Sequence, residues 1–237
     1  MDPVTLYQFE LCPYCHKVKA GLEVKGIPFK KIEVNPTTKK ELPPLPEEAP
    51  KKVPVIQTNG ETVYDSSDIL HYLDKKFNDK VHYTPADAAR QKRSEEVDQW
   101  VDDEFTYALP TVIYGTWREA LRAAQITART SNFGPIENLK VRAGGSLIMY
   151  AISKRILKKR NKTDGHKWVV EDLEQFEEWL GSDDFIGGDE VSLGDVAMHG
   201  AVTCVKEFPI FAEIMGRPKM AAWYNRVQAI RDANRAN

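Results

Sequence analysis

Hydrophobic and polar positions divide the chain into two unlike halves. Val4-Thr5-Leu6-Tyr7-Gln8-Phe9 is β-branched and aromatic, which predicts a strand. Residues 16–26 place Val18, Leu22 and Val24 at helical spacing and stop on Gly26, a helix with a glycine terminus. Phe29-Lys30-Lys31-Ile32-Glu33-Val34 alternates apolar and polar, and Asn35-Pro36 ends it. Strand, helix and strand in such a short span predict a βαβ unit with parallel strands and a right-handed crossover. Residues 41–52, with prolines at 43, 44, 46 and 50, predict a surface loop. Val53-Pro54-Val55-Ile56-Gln57-Thr58 and Glu61-Thr62-Val63-Tyr64 flank Asn59-Gly60, the signal of a tight antiparallel hairpin. Asp65-Ser66-Ser67-Asp68 then caps a helix with Ile69, Leu70, Leu73 and Phe77 on one face.

From about residue 86 no strand pattern returns. Val97, Trp100, Val101, Phe105 and Ala108 follow a helical period that Pro110 is expected to break or kink. Further helices are predicted over 111–129, 135–159, 167–180, 193–207 and 218–230. The fold class is therefore an α/β domain of thioredoxin-like element order over residues 1–78, followed by an all-α domain over 85–237.

Bulk properties add exclusions. The 237 residues are 42% hydrophobic and 29% charged, with a formal net charge of −2, so nothing draws the chain to nucleic acid or an anionic membrane. No apolar run is long enough to span a bilayer, and the N-terminal residues lack a signal-peptide pattern. Three cysteines are too few for a disulfide framework, which predicts a reducing compartment such as the cytoplasm.

The chemistry centres on Cys12-Pro13-Tyr14-Cys15, between the first strand and the first helix. A helix start exposes unpaired N–H groups and the positive end of the dipole, which favour a thiolate. A Cys-X-X-Cys cysteine there can fall from a pKa of about 8.5 to about 3.5–7.5. Cys12 is the predicted nucleophile and Cys15 its resolving partner, with Pro13 suited to the first turn. Cys12-X-X-Cys15-His16 also matches a c-type haem attachment pattern, but the chain lacks an export signal. Zinc needs about four ligands, and Cys204 lies far along the chain on an apolar stripe, as an inert core thiol does. His16, His71 and His199 sit on helical patterns as packing or surface residues. The basic run Lys154-Arg155, Lys158-Lys159-Arg160 and Lys162 reads as a solvated helix end.

With these features the chain resembles the glutathione transferase superfamily over nearly its whole length. The resemblance rests on Val53-Pro54 followed by Asp65-Ser66, and on Phe185-Ile186-Gly187-Gly188-Asp189 with Ser192-Leu193-Gly194-Asp195, whose Ser192 and Asp195 form a capping box. Leu6-Tyr7-Gln8, the Cys-Pro-Tyr-Cys run, Glu33-Val34-Asn35-Pro36, Lys52-Val53-Pro54 and Ile152-Ser153-Lys154-Arg155 look most like the microsomal prostaglandin E synthase type 2 group. One departure is Phe9, which stands where members usually carry a tyrosine three residues before the first cysteine and cannot hydrogen-bond. Another is the N-terminal membrane anchor of eukaryotic relatives; this chain is expected to meet a membrane only if such an anchor was removed.

The resemblance implies glutathione held by Lys52, Val53, Pro54, Asp65 and Ser66. Ser66 would offer an amide and a hydroxyl to the γ-glutamyl carboxylate and Asp65 a carboxylate to its ammonium. Val53, before an expected cis Pro54, would offer an extended edge to the cysteinyl backbone. Phe9, Tyr14, Tyr107 and Tyr114 are the expected walls of an apolar substrate pocket, with Trp100, Phe105 and Trp117 nearby. The implied activity is thiol exchange on a disulfide or peroxide substrate, or glutathione-assisted endoperoxide isomerisation. The alternative is a non-catalytic glutathione-binding or scaffold protein. Non-covalent haem bound with glutathione and a homodimer are also implied by the resemblance.

Overall fold

The computed structural model describes residues 3–131, 133 and 144–235. A four-stranded sheet in the order β2-β1-β3-β4 is built from β1 (Val4–Gln8), β2 (Phe29–Glu33), β3 (Val55–Thr58) and β4 (Glu61–Tyr64). β1 runs parallel to β2, with Val4 opposite Phe29, and antiparallel to β3, with Leu6 opposite Ile56. Asn59 and Gly60 both take positive φ, as a tight turn between β3 and β4 requires. The third strand begins at Val55 rather than Val53, and the Val53–Pro54 bond before it is cis.

Helix α1 (Pro13–Val24) follows β1 and ends before Gly26, whose φ of +64° is open to glycine. Helix α2 (Ser66–Lys76) follows β4. The helical part contains α3 (Ala88–Trp100), a π-helical turn (Val101–Phe105), α4 (Thr106–Ile113) and α5 (Trp117–Thr130). After these come α6 (Ser146–Lys159), α7 (Gly165–Leu180), α8 (Leu193–Cys204), α9 (Pro209–Gly216) and α10 (Pro218–Arg235). Two expectations change. Pro110 lies inside α4, and the helical irregularity falls at the π turn before it. The helix expected over 111–129 is two, broken at Tyr114–Thr116, where the Thr116 side chain and Glu119 cap α5. The early part of the helix expected over 135–159 lies outside the described residues.

The capping box at Ser192 is also a knot between elements. The buried Asp195 carboxylate accepts from the Ser192 N–H (2.9 Å) and hydroxyl (2.8 Å), the Ile186 N–H (2.9 Å) and the Trp223 indole (2.7 Å). It thereby ties α8 to α10 and to the preceding loop.

Helix α1 has almost no solvent face. Cys15 to Val24 are all buried, including His16, Lys17, Lys19 and Glu23. It packs against α2, α8 and α10. At Gly200 the α8 backbone meets the α1 backbone: a Cβ there would come within 2.5 Å of the Lys17 Cα and 2.7 Å of the His16 carbonyl carbon. Neither atom can rotate away. Gly200→Ala should therefore lower stability by about 1–3 kcal/mol through overpacking, despite alanine's better helix propensity. Urea unfolding would show this as a lower midpoint with an unchanged slope; an equal or higher midpoint would contradict the close approach.

Candidate functional site

Cys12 is the N-cap of α1, with extended backbone, and Pro13 opens the helix. The thiol is half-buried, whereas Cys15 and Cys204 are buried. The Cys15 N–H donates to the Cys12 sulfur at 3.4 Å. A hydrogen bond from the Cys15 thiol holds the Cys12 pKa below its usual value, against the cost of burial; the Cys15 and Tyr14 amides and Lys19 act in the same direction. Burial, and then Cys12 itself, push the Cys15 thiol well above its usual value. The two sulfurs are thus shifted in opposite directions, Cys12 toward the thiolate and Cys15 toward the thiol. Burial likewise pushes the Cys204 thiol up.

A cleft of about 600 Å³ opens beside this corner. From the sheet domain it is lined by Pro13, Tyr14, Lys52, Val53, Pro54, Asp65 and Ser66, among others. From the helical part come Asp102, Asp103, Thr106, Tyr107, Pro110 and Ile156. All five residues expected to hold glutathione lie on one wall. Asp65 caps α2, accepting from the Ser67 N–H at 2.9 Å, and does so at a φ of +71°. Such a conformation costs a non-glycine residue of order 1–3 kcal/mol and clusters at ligand sites.

The expected apolar pocket divides. Tyr14 and Tyr107 line the cleft, and Cys12 lies next to its lining residue Pro13. Phe9 and Tyr114 do not line it. Phe9 packs against the main core, and its carbonyl accepts the Cys12 N–H at 3.1 Å. Tyr114 is buried in that core, where its carbonyl accepts the Ser153 hydroxyl. Sequence periodicity marked both as aromatic but could not say which way each faced.

The sequence reading missed the residues that hold the two halves of the cleft together. Lys17, 1% exposed at the side chain, reaches Asp98 at 2.5 Å and Asp102 at 2.8 Å, and donates to the Ser67 hydroxyl at 2.9 Å. The Ser67 hydroxyl in turn donates to Asp102 at 3.2 Å. The Asp102 carbonyl accepts the Tyr14 hydroxyl at 3.0 Å. Burial pushes the Tyr14 phenol up to about 12, so it remains a donor. The π turn therefore contacts α1, the active corner and the start of α2 at once; such turns recur at functional sites. A lysine among the apolar positions of the first helix and the run Asp102-Asp103-Glu104 were the available signals.

No histidine, methionine or cysteine lines the cleft among the described residues, but the phenols of Tyr14, Tyr64 and Tyr107 do. His16 is committed to the Glu10 carbonyl at 2.9 Å. A tyrosine oxygen, or the Cys12 sulfur beside Pro13, would be the donor for haem at this cleft. Among the described residues no cluster of three or more acidic, histidine or cysteine side chains could hold a metal ion.

If the Cys15 thiol is what lowers the Cys12 pKa most, Cys15→Ala should raise it. Alkylation of Cys12 by iodoacetamide near pH 6 should then slow several-fold relative to wild type, with its pH midpoint shifted upward. An unchanged midpoint would assign the thiolate to the helix start alone.

Three comparisons with known proteins bear on the family. Residues 6–81 match the family described as glutathione S-transferase, N-terminal domain, and residues 147–230 match glutathione S-transferase, C-terminal domain. The chain is 29% identical to prostaglandin E synthase 2 of Danio rerio, over 95% of this chain and 70% of that protein. It is 26% identical to the Mus musculus protein of the same name, over 97% and 71%. A solved glutathione S-transferase III in apo form superposes with a TM-score of 0.66 at 19% identity, covering 99% of this chain and 96% of that one. No helix among the described residues is long and apolar enough to cross a membrane. With a thioredoxin-like sheet domain, an all-helical partner and matches in both halves, this chain belongs to the glutathione transferase superfamily.

Proposed function

We propose that this protein is a glutathione-dependent thiol transferase with Cys12 as its nucleophile. The observation that carries the reading is the opposite polarisation of the two cysteines beside a cleft lined by Val53, Asp65 and Ser66. The α2 start, with the Ser66 N–H and hydroxyl, receives the γ-glutamyl carboxylate of glutathione. Asp65 receives the ammonium, Val53 pairs with the cysteinyl backbone, and Lys52 meets the glycyl carboxylate.

The thiolate of Cys12 attacks the glutathionyl sulfur of a mixed disulfide. The S–S bond of the substrate breaks, Cys12 becomes bonded to glutathione, and the departing thiolate takes a proton from solvent. A second glutathione thiolate then attacks the Cys12-bound glutathione, releasing oxidised glutathione and the Cys12 thiolate. Alternatively, Cys15 gives up its proton and displaces glutathione, closing a Cys12–Cys15 disulfide.

A second reading is favoured by the two relatives named prostaglandin E synthase 2. In it Cys12 orients the thiol of bound glutathione toward an endoperoxide, which isomerises without net oxidation. The absence of a hydroxyl at Phe9 leaves Tyr14 as the phenol nearest Cys12 in sequence within the cleft. A non-catalytic binding role is disfavoured because it has no use for a half-exposed thiolate.

Cys12→Ser should lower glutathione-dependent reduction of the mixed disulfide of glutathione and 2-mercaptoethanol by at least about 100-fold, because a serine hydroxyl is not ionised near neutral pH. Glutathione binding should persist. The same variant assayed on a prostaglandin endoperoxide separates the two chemistries. Retention of disulfide turnover by Cys12→Ser would rule out the assigned nucleophile.

A further inference from the structure

We propose that the helical wall of the cleft selects against negative charge on the group carried by the glutathione sulfur, and that Asp103 is the residue that reads this charge. The inference rests on the glutathione reading above and specifies the partner that reading leaves open.

The wall formed by Val53, Asp65 and Ser66 is taken up by glutathione itself. The opposite wall, with Asp102, Asp103, Tyr107 and Ile156, faces whatever the sulfur carries. Lys17 and Arg160, the described cations bonded to this wall, are both committed. Lys17 sits between Asp98 and Asp102, one ammonium for two carboxylates. Arg160 pairs with Glu104 at 3.1 Å, donates to the Asp103 carbonyl at 2.7 Å, and lies 4.4 Å over the Tyr107 ring. Among the described residues, Lys17 and Arg160 thus answer Asp98, Asp102 and Glu104, and of these carboxylates only Asp102 lines the cleft beside Asp103. Asp103 is exposed in the cleft, and among the described residues its carboxylate makes no ion pair. Lys52 lies on the glutathione wall. Arg155, Lys158 and Lys159 on α6 are exposed and do not line the cleft.

A carboxylate placed against this wall meets uncompensated negative charge, whereas an ammonium finds a free partner. The remaining walls, Tyr14, Tyr107, Pro110 and Ile156, are aromatic or apolar. The favoured partner is accordingly a compact thiol or electrophile that is apolar with a neutral or cationic end, not a fatty carboxylate held with its charge inward. For a solvent-accessible pair the effect on affinity is roughly fivefold.

Calorimetric titration of the full chain with three S-substituted glutathiones tests this. S-ethylglutathione is neutral, S-(2-aminoethyl)glutathione adds a cation and S-carboxymethylglutathione adds an anion. In wild type at low salt the aminoethyl compound should bind roughly fivefold more tightly than the carboxymethyl compound. The gap should narrow at least about twofold in Asp103→Asn, and also in wild type at high ionic strength. Equal or tighter binding of the carboxymethyl compound, or an unchanged gap in Asp103→Asn or at high salt, overturns the proposal. S-ethylglutathione separates the two levels. If it fails to bind, the glutathione reading falls and this inference with it; if it binds without charge discrimination in the other pair, only this inference falls.

Discussion

The position of Cys12 depends on the contact between two helix backbones at Gly200, where α8 comes up against α1 at His16 and Lys17. That approach closes the helical part over a helix that in an isolated sheet domain would keep a wet face. Once closed, the charged groups buried on α1 find partners. Glu23 takes Arg231 and Arg235. Arg231 also donates to His199 at 2.8 Å, whose pKa is held well below its usual value by burial and by that guanidinium, so its ring is a neutral acceptor. Lys25, just past the helix, takes Asp74 at 2.9 Å. Removing one member of such buried pairs typically costs about 3–5 kcal/mol, because the other is left charged and dry. The rigidity of the cysteine corner is thus set by contacts far from the sulfur.

The cleft is a product of the same closure. The sheet domain alone supplies a positively polarised helix start and a peptide edge. The π turn supplies the opposite wall and, through Lys17 and Ser67, holds the start of α2. The start of α2, helix α1 and the π turn are joined by one buried cluster of Lys17, Ser67, Asp98 and Asp102.

What the sequence made legible was local. The Asn59-Gly60 hairpin, the glycine stop at Gly26, the helix cap at Asp65 and the box at Ser192 and Asp195 each depend on a few adjacent residues. The expectation of a cis bond before Pro54 was of the same kind. What was not legible depends on packing between distant segments. Lys17 and Glu23 read as the polar face of an amphipathic helix, yet both are buried because α8 and α10 cover that face. The π turn has no propensity signature; it shows itself only by what Asp102 contacts. Helix α9, between Phe208 and Arg217, was not among the predicted elements; its first residue is Pro209, a position that proline suits. Phe9 and Tyr114 were placed in the substrate pocket on residue type, and their orientation was decided by the core.

The central claim is that one sulfur, Cys12, is a thiolate presented to glutathione while the other two are not. The most direct measurement is mass-spectrometric mapping of the native protein after brief exposure to oxidised glutathione, using Cys15→Ser to trap the adduct. The account predicts a single glutathione, on the peptide containing Cys12, with Cys204 unmodified. An adduct on Cys204, or none on Cys12 under conditions that modify free cysteine, would contradict it.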